Sequence, residues 1–266
     1  MPIYTLKDRI TEYEQAYEFK FTKKLPILIK LNGRGFSKTT SLLTKPFSEE
    51  YLNTMSTVIM KLAHDLEGVC FIYSFNDQIF IIIRNDQNVE TEAWYDNKIQ
   101  KIVSASAAIA TINFNKAALM FDLELVGDAI FTAEAFALPN INETINALVC
   151  YQQKAYQDSV HLACFHELIK NFSLEKAKDM LISQSSTEDK IDLLNEKCNI
   201  DYFEYDSAYR RGIGCYRTLK VIKINNEEIL KNKWTLDKDL PIFSKNQEFM
   251  SNILRGGTDI FRNEKF

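Results

Sequence analysis

Several residue types that would direct the fold or the partners of this chain are scarce or absent. The five cysteines are odd in number, widely spaced and never arranged as a Cys-x-x-Cys pair. That arrangement argues against a disulfide framework and against a zinc ribbon. No stretch approaches the ~20 consecutive apolar residues that span a bilayer, and the N-terminal segment MPIYTLKDRITEYEQ carries acidic residues and no apolar signal core. These absences predict a cytoplasmic protein with no membrane partner.

The chain also lacks the basic balance of a typical nucleic-acid-binding protein. Its 32 Lys and Arg residues are outnumbered by 36 Asp and Glu residues, which gives a formal net charge of −4. Local basic clusters nevertheless occur at Lys20–Lys24, Tyr209–Arg211 and Lys231–Lys233. Each cluster is either a solvated face or a contact for RNA phosphates, and the sequence leaves both interpretations open.

One short stretch, HLACFH, brings together residue types that bind metals. His161, Cys164 and His166 stand at positions i, i+3 and i+5, so on one helix they cannot all face the same ion. Packing inside the protein is the better explanation for these side chains. The sequence therefore predicts no metal site here.

What the chain does contain is enough apolar sequence for one large core, at 46% hydrophobic residues with 26% charged. Periodicity and end signals predict a regular order of elements in the first half. In chain order they are a helix over 7–20, a strand at Ile27–Leu31, a helix over 48–68, a hairpin with a polar tip at Ser74–Gln78, a helix at Tyr95–Phe114 and a strand at Ala133–Leu138.

The second half begins with a long helical pattern from Asn142 to about Asn171. Ser173 has the look of a helix cap, and a further polar helix is predicted near 187–197. Beyond Tyr209 the pattern indicates mixed short strands and loops up to the terminal GGTDIFRNEKF. The apolar face of the long helix could lie either in the core or at an interface between subunits.

The order strand, helix, two strands, helix, strand is typical of an α+β fold. It predicts a palm-like, or ferredoxin-like, antiparallel sheet of four strands with two helices on one face, followed by a helical C-terminal extension. We therefore expect a palm domain over residues 1–140 and a helical and mixed region over 141–266 that packs on it.

A palm sheet supports one kind of chemistry especially well. Carboxylates at the end of the first strand and at the hairpin tip hold two divalent ions ~3.5–4 Å apart, and these ions align a triphosphate with its nucleophile. Here the corresponding positions are Asn32, Asp77 and Gln78, of which one is a carboxylate. Asn32 before Gly33 could also be only a turn former.

At these residues the chain resembles the tRNA(His) guanylyltransferases and their bacterial and archaeal tRNA-repair relatives, which add nucleotides in the 3′-to-5′ direction. The resemblance covers roughly residues 5–217. The stretches that carry it, in chain order, are LNGRGFSKTT, TKPFSEEYLNTM, YSFNDQIFIII, IQKIVSASAAIAT, EAFALP, YQQKAYQDSV and YRRG.

The resemblance implies roles for individual residues. Asp77 is the expected catalytic residue, and Mg²⁺ with GTP or ATP would be the cofactors. The expected metal ligands are Asn32, Gly33, Asp77 and Gln78. The expected nucleotide-binding residues, among which Lys45 and Lys101 match positions that contact triphosphate, are Gly33, Arg34, Gly35, Phe36, Lys45, Asn76 and Lys101. The partners would be tRNA or another RNA and a nucleoside triphosphate, and the assembly a homo-oligomer, namely a tetramer.

The departures from the family pattern all reduce the same capacity. Asn32 and Gln78 stand where the family has carboxylates, and amides bring no negative charge to bind dications. Thr132 and Glu134 replace an aspartate and an arginine, and two arginines are missing from the pattern YQQKAYQDSV. These changes weaken attraction to metal and to phosphate.

Two hypotheses follow. In the first, the protein is a degenerate member of the family that binds nucleotide or RNA, or regulates another activity, without two-metal chemistry. In the second, it is an active nucleotidyltransferase that adds a nucleotide to the 5′ end of tRNA, with Asp122 or Asp128 as a compensating acid. The resemblance leaves residues from about 217 onward without an assigned role.

Overall fold

A single antiparallel sheet organises the molecule. The computed structural model describes residues 4–87, 90–224 and 227–255. Six strands pair in the order β4-β1-β3-β2-β5-β6. Their bounds are β1 (Ile27–Gly33), β2 (Val69–Phe75), β3 (Gln78–Ile83), β4 (Phe131–Ala137), β5 (Ile213–Ile224) and β6 (Glu227–Asp237).

Helices cover both faces of this sheet. The α-helices of the described residues are α1 (Leu6–Ala16), α2 (Phe36–Thr39), α3 (Glu49–Asp65), α4 (Ile99–Met120), α5 (Ile141–Asn171), α6 (Leu174–Ile182), α7 (Thr187–Cys198), α8 (Ser207–Arg211) and α9 (Gln247–Leu254). An α+β fold with a palm-like antiparallel sheet was predicted from the sequence, and the structure confirms it. The predicted cap is also confirmed, since the Ser173 hydroxyl accepts a hydrogen bond from the Lys176 amide.

The alternation of side chains along β1 separates two cores. Ile27, Ile29 and Leu31 face α3 and α4, where Val58, Ile59, Ile102 and Phe114 are buried with them. Leu28 points to the opposite face, together with Phe80 and Ile82 of β3 and with Ile145 and Leu148 of α5. The apolar side chains of α5 are therefore buried within the chain, where they also meet α6 and α7 in a third cluster.

The C-terminal region corrects the prediction of short strands and loops after Tyr209. β5 and β6 are 12 and 11 residues long and pair with each other along their whole length. β5 joins the sheet because Ile213–Tyr216 pair with Ser74–Phe71, at the edge of β2 that β3 leaves open. The sheet has six strands instead of the predicted four for this reason. The terminal GGTDIFRNEKF lies outside the described residues.

Several helix boundaries also differ from the prediction. The helix predicted to end at Phe114 continues to Met120, and the one predicted over 48–68 ends at Asp65. The helix predicted to begin at Tyr95 begins at Ile99, because Tyr95, Asp96 and Asn97 have positive φ angles of 50°, 51° and 59° that an α-helix cannot include. The helix predicted over 7–20 ends at Ala16.

α4 requires a correction concerning membranes. Among the described residues it is the helix that is long and apolar enough, by length and composition alone, to cross a bilayer, with 22 residues and a mean hydropathy of 1.2. The alanines and isoleucines of this helix meet that test without forming a continuous apolar run. In the fold, α4 instead packs its buried face, with Ile102, Ala110 and Phe114, against α3 and the sheet.

Candidate functional site

Three neutral polar residues stand side by side where β1 ends. Asn32 pairs in register with Gln78 of β3 on one side and with Thr132 of β4 on the other. The amide nitrogen of Gln78 donates a hydrogen bond to the side-chain oxygen of Asn32 at 3.1 Å. Two carboxylates at these positions would repel each other, whereas the two amides satisfy each other.

The hairpin tip between β2 and β3 places Asp77 beside this row. Asn76 adopts a left-handed φ of 49°, and the backbone N–H of Gly33 donates to the Asp77 carbonyl at 2.9 Å, which ties the tip to the end of β1. Asp77 is half-buried, and burial raises the pKa of its carboxyl although Lys30 acts in the opposite direction. Asp77 is therefore an acid whose charge is only partly compensated by the protein.

Close approach of an aromatic ring explains Gly33. A Cβ atom at this position would lie 2.3 Å from the ring of Phe36, which is closer than side-chain atoms pack. Phe36 in turn packs edge-on against Phe114 of α4 and Phe131 of β4, at centroid distances of 5.2 and 5.0 Å. The short turn after β1 is thereby anchored in the core.

A cavity of about 700 Å³ opens beside this turn. Its size lies in the range of small-molecule sites. The segment from Gly33 to Met55, the hairpin tip, α5 and α8 all line it. Tyr51 faces Asp77 from the α3 side, and burial, followed by the Asp77 charge, raises the pKa of its phenol, so it presents a protonated hydroxyl.

Lys45 brings a cationic group into the cavity from the loop before α3. Its ammonium nitrogen donates to the Thr40 carbonyl at 3.3 Å. Burial lowers the pKa of this lysine, and among the described residues no carboxylate pairs with it. A half-buried lysine without a carboxylate partner in a cleft is suited to hold an anionic ligand.

Residues of the C-terminal half close the cavity on its other side. Tyr209 of α8 stacks on Phe47 with ring centroids 4.8 Å apart and an interplanar angle of 12°. The backbone of Tyr209 is held from α5, because the Ser159 hydroxyl donates to its carbonyl at 2.7 Å and accepts from the Tyr202 hydroxyl at 2.9 Å. Leu162 and His166, one helical turn apart on α5, also line the cavity.

Most of the residues expected to bind nucleotide or metal meet at this cavity, but not all. Those that line it are Gly33, Gly35, Phe36, Lys45, Asn76 and Asp77. Asn32 and Gln78 lie next to it on the sheet. The Arg34 side chain is exposed, and its backbone N–H donates to the Ile130 carbonyl at 2.8 Å. Asp122 and Asp128 are exposed and do not line the cavity.

Lys101 lies far from the cavity. It occupies the first turn of α4, with its ammonium 6.0 Å from the ring centroid of Tyr95. The cavity residue Phe36 contacts Phe114, which lies on the same helix as Lys101. At 1.5 Å per residue, Lys101 and Phe114 are about 20 Å apart along the helix axis. Within one subunit, the structure does not bring Lys101 to the nucleotide-sized cavity.

Several residues of the basic clusters at Lys20–Lys24 and Tyr209–Arg211 are paired inside the chain. Lys20 forms an ion pair with Asp96 at 2.6 Å and Lys24 donates to the carbonyl of Asn85. Arg211 bonds the Leu240 carbonyl and the Asp239 carboxylate. The Arg210 guanidinium lies 5.8 Å from the centroid of the Phe203 ring, with a buried Nε that no described group accepts. These contacts favour structural roles for Lys20, Lys24 and Arg211.

Comparison with known proteins agrees with the geometry. The family model described as tRNAHis guanylyltransferase (Thg1) matches residues 7–139, which is half of the chain. This chain belongs to the tRNAHis guanylyltransferase family. "tRNA(His) guanylyltransferase 1" of Arabidopsis thaliana is 22% identical over 217 residues, which are 78% of this chain and 37% of that protein. The Neurospora crassa tRNA(His) guanylyltransferase is 18% identical over 260 residues, covering 90% of this chain and 85% of its own length.

Solved structures of the family share the fold. A bacterial tRNA(His) guanylyltransferase-like protein in complex with ATP is 25% identical with a TM-score of 0.79, over 94% of this chain and 99% of its own. The same kind of protein in complex with GTP gives a TM-score of 0.73 at 25% identity, over 94% and 98%. The Saccharomyces cerevisiae enzyme, at 16% identity and a TM-score of 0.66 over 82% and 94%, shares the fold. The chain spans less than two fifths of the length of the Arabidopsis relatives.

Membership of the tRNAHis guanylyltransferase family implies bound magnesium. The residues at the cavity decide whether this chain can hold such ions. Within residues 4–87, 90–224 and 227–255, no three His, Cys, Asp or Glu side chains are grouped closely enough to hold a metal ion. The side-chain oxygen of Asn32 already accepts a hydrogen bond from Gln78, and among the described residues Asp77 is the one acid that lines the cavity. This donor set does not fit a pair of divalent cations.

Two cavity residues from the far end of the chain were not predicted as part of the site. His166 was interpreted as a packed side chain rather than a metal ligand, and Tyr209 was placed in a basic cluster and in the family stretch YRRG, but both line the cavity. The spacing of Leu162 and His166 could have shown that they share a helix face. Nothing local in the sequence says that this face meets the loop after β1.

Proposed function

We propose that this chain is a nucleotide-binding protein of the tRNAHis guanylyltransferase family that acts in nucleotide or RNA binding or in regulation, with its two-metal chemistry lost or strongly reduced. Support for nucleotide binding comes from the cavity with Lys45 at its wall and from similar proteins whose structures contain ATP and GTP. RNA, in particular tRNA, is the proposed macromolecular partner by membership of the family.

The observation that carries the loss of chemistry is the hydrogen bond between Gln78 and Asn32. At the positions where the family pattern has carboxylates, this chain has two side chains that bond to each other and carry no charge. Thr132 adds a third neutral residue to the row, in register with Asn32. The electrostatic hold on paired dications falls with each lost charge, since charge count dominates the binding of hard cations.

A second candidate function is retained because one observation favours it. Asp77, the backbone of Gly33 and Lys45 line the same cavity, so one acid and one cation remain beside a nucleotide-sized space. In this alternative the chain adds a nucleotide to the 5′ end of tRNA, with Mg²⁺ held by Asp77 and the carbonyl of Gly33 and with GTP or ATP as donor. Asp77 would then be the catalytic residue.

The experiment that separates the two candidates restores the acids. We expect Asn32→Asp with Gln78→Glu to tighten Mn²⁺ or Mg²⁺ binding by about ten-fold or more, since two charges are added at short range. Without metal, the same variant should lose about 1–3 kcal/mol of unfolding free energy, because a hydrogen bond becomes a repulsion. Isothermal titration and urea unfolding measure both effects.

A matched control carries the same charge change elsewhere. Gln153→Glu with Asn195→Asp alters two exposed residues on α5 and α7 and should leave cation binding unchanged. Transfer of labelled GTP or ATP to tRNA is measured alongside. If the unaltered chain shows magnesium-dependent turnover that Asp77→Ala abolishes, the second candidate is correct and the first is wrong.

Assembly and location are further proposals. We expect a homo-oligomer, namely a tetramer by family resemblance. α1 supports this, because none of its residues is buried and its apolar Leu6, Ile10 and Tyr13 are 66%, 46% and 61% exposed. Light scattering after size exclusion would give the mass, and a monomer at micromolar concentration would contradict the proposal. A cytoplasmic location stays a prediction.

A further inference from the structure

Two ionisable nitrogen groups meet in the cavity from distant parts of the chain. Lys45 enters from the loop before α3, and His166 enters from the penultimate turn of α5. Both side chains line the same cavity, and the positive charge of Lys45 is among the causes that lower the pKa of the His166 imidazole.

Within the part of the chain that the structure describes, no carboxylate forms an ion pair with Lys45 or His166. Glu167 is next to His166 in sequence, but its carboxylate accepts from Lys170 at 2.8 Å and from the Tyr205 hydroxyl at 3.5 Å. Asp77 lies at the hairpin tip, where the charge that acts on it is that of Lys30. Among the described residues, the hydrogen-bond partner of the Lys45 ammonium is a backbone carbonyl.

We propose that Lys45 and His166 together form the phosphate end of the cavity, with protonated His166 supplying a second positive charge to the bound polyphosphate. This inference rests on the proposed nucleotide-binding function and names the residues that would hold the ligand's anionic part. The missing metal pair makes such charges more important, since a triphosphate bound without paired dications needs other cations to neutralise it.

Proton uptake should then accompany binding. Burial is the first cause that lowers the pKa of His166, and the charges of Lys45 and Lys170 lower it further, against Glu167. Phe165 and Tyr209 add a ring contact and a cavity wall but no charge at neutral pH. In the free protein at neutral pH the imidazole is therefore mostly neutral. A polyphosphate beside it favours the imidazolium, so its pKa rises on binding and affinity increases as pH falls.

The test compares ATP affinity at about pH 6 and about pH 8, by calorimetry on the full chain. At about pH 6, we expect the wild-type chain to bind ATP about three- to ten-fold more tightly than His166→Gln. At about pH 8, the two affinities should be nearly equal. Any pH dependence that His166→Gln keeps belongs to the ligand or to the other ionisable groups of the cavity, such as Asp77. Adenosine, which has no phosphate, should show no effect of pH or of the variant.

His161 offers a matched control on the same helix. Burial also lowers the pKa of this histidine, but it does not line the cavity. His161→Gln should therefore keep the wild-type pH dependence of ATP binding. The chain has three histidines, so single substitutions assign their imidazole proton signals in NMR spectra. We expect the signal of His166, and not that of His161, to report a higher pKa when ATP is added.

The outcomes distinguish the role of His166 from nucleotide binding by the chain. If ATP binds but the pKa of His166 does not move, and His166→Gln keeps the wild-type pH dependence, this inference is wrong while nucleotide binding stands. If the unaltered chain binds no ATP at either pH, both the inference and the proposed nucleotide binding are wrong. The NMR measurement on the unaltered chain keeps the test decisive if His166→Gln fails to fold.

Discussion

Asn32 and Gln78 each differ by a single charge from the carboxylates of the family pattern, and that difference changes how the two side chains act on each other. As amides they form a hydrogen bond of 3.1 Å across β1 and β3, which satisfies one donor and one acceptor at the sheet end. As acids they would need cations to lie so close. The same backbone positions thus serve as an internal bond in this chain.

Asp77 is the residue at this site whose charge works against folding, and this leads to a pH prediction. Because burial raises its folded-state pKa above the ordinary 3.8, stability from this group is present at low pH and is lost as pH rises through the raised value. Asp77→Asn should therefore raise the unfolding free energy at neutral pH by an amount on the order of 1 kcal/mol. Urea unfolding at about pH 7 and about pH 3 measures it.

The difference in unfolding free energy between Asp77→Asn and the unaltered chain should vanish at acidic pH, where the Asp77 carboxyl is protonated in both the folded and the unfolded protein. The exposed Asp192 of α7 provides a control, because Asp192→Asn should change stability by less than about 0.5 kcal/mol at either pH. Equal stability of Asp77→Asn and the unaltered chain at neutral pH would show that Asp77 is not desolvated as described.

At the scale of elements, the junction between α8 and β5 joins the C-terminal region to the sheet. Gly212 has a φ of 80°, and a Cβ atom there would lie 2.5 Å from the Ser74 carbonyl oxygen and 2.7 Å from the Tyr73 ring. The close approach lets β5 pair with β2 immediately afterwards, from Ile213 onward. The same stretch holds Tyr209 over the cavity.

Gly212→Ala should therefore destabilise the chain through two effects. One is the backbone conformation, with φ 80° and ψ −175°, which is essentially restricted to glycine and costs about 1–3 kcal/mol for a residue with a Cβ atom. The other is the overlap with β2, which adds about 1–3 kcal/mol. Gly127→Ala is the comparison, since Gly127 also has a positive φ, of 79°, but no atom within 4 Å of its ideal Cβ. Urea unfolding of both variants gives the difference.

Equal losses for Gly212→Ala and Gly127→Ala would mean that β5 moves away from β2 without cost. In that case the pairing of Ile213–Tyr216 with β2 would not be the feature that holds the C-terminal strands in place. Binding of ATP by each variant is the second readout, and we expect it to weaken in Gly212→Ala only, because the cavity wall formed by Tyr209 shifts with the junction.

At the scale of the whole molecule, the sheet and the cavity both cross residue 140, where the sequence suggested a boundary. β5 and β6 extend a sheet begun by β1 to β4, and α5 covers the face that holds Leu28, Phe80 and Ile82. A fragment ending at 140 would leave those side chains and the edge of β2 exposed to water. The two predicted domains themselves stay a prediction.

The two tryptophans report on the two regions separately. Trp94 precedes α4, and Trp234 lies in β6 with the Arg217 guanidinium 4.7 Å from its ring centroid. The variants Trp94→Phe and Trp234→Phe each keep one tryptophan. For each variant, we expect urea unfolding followed by tryptophan fluorescence to give the same midpoint and the same m value as unfolding followed by far-ultraviolet circular dichroism. A tryptophan transition that departs from the circular dichroism of its own variant would indicate two independently unfolding units.

The sequence by itself determined most elements and the kind of site. The apolar run ILIKL, the capped pattern after Ser48 and the helical pattern of 142–171 predict β1, α3 and α5 to within a few residues. Asn32, Asp77 and Gln78 were placed together at one sheet end because a first strand and a hairpin in this order bring their ends together. These features depend on interactions between near neighbours in sequence.

Only the tertiary structure decided which distant residues complete the cavity and how the chain ends. Lys101 is removed from the site by the length of α4, while His166 and Tyr209 are brought to it by the crossing of α5 and by the close approach at Gly212. The sequence predicts β5 and β6 only as short strands, because their hydrogen-bond partners are far away or unspecified: β5 pairs with the open edge of β2, and β6 pairs with β5. Such contacts join residues far apart in the chain, so no local pattern records them, and the packed core selects them.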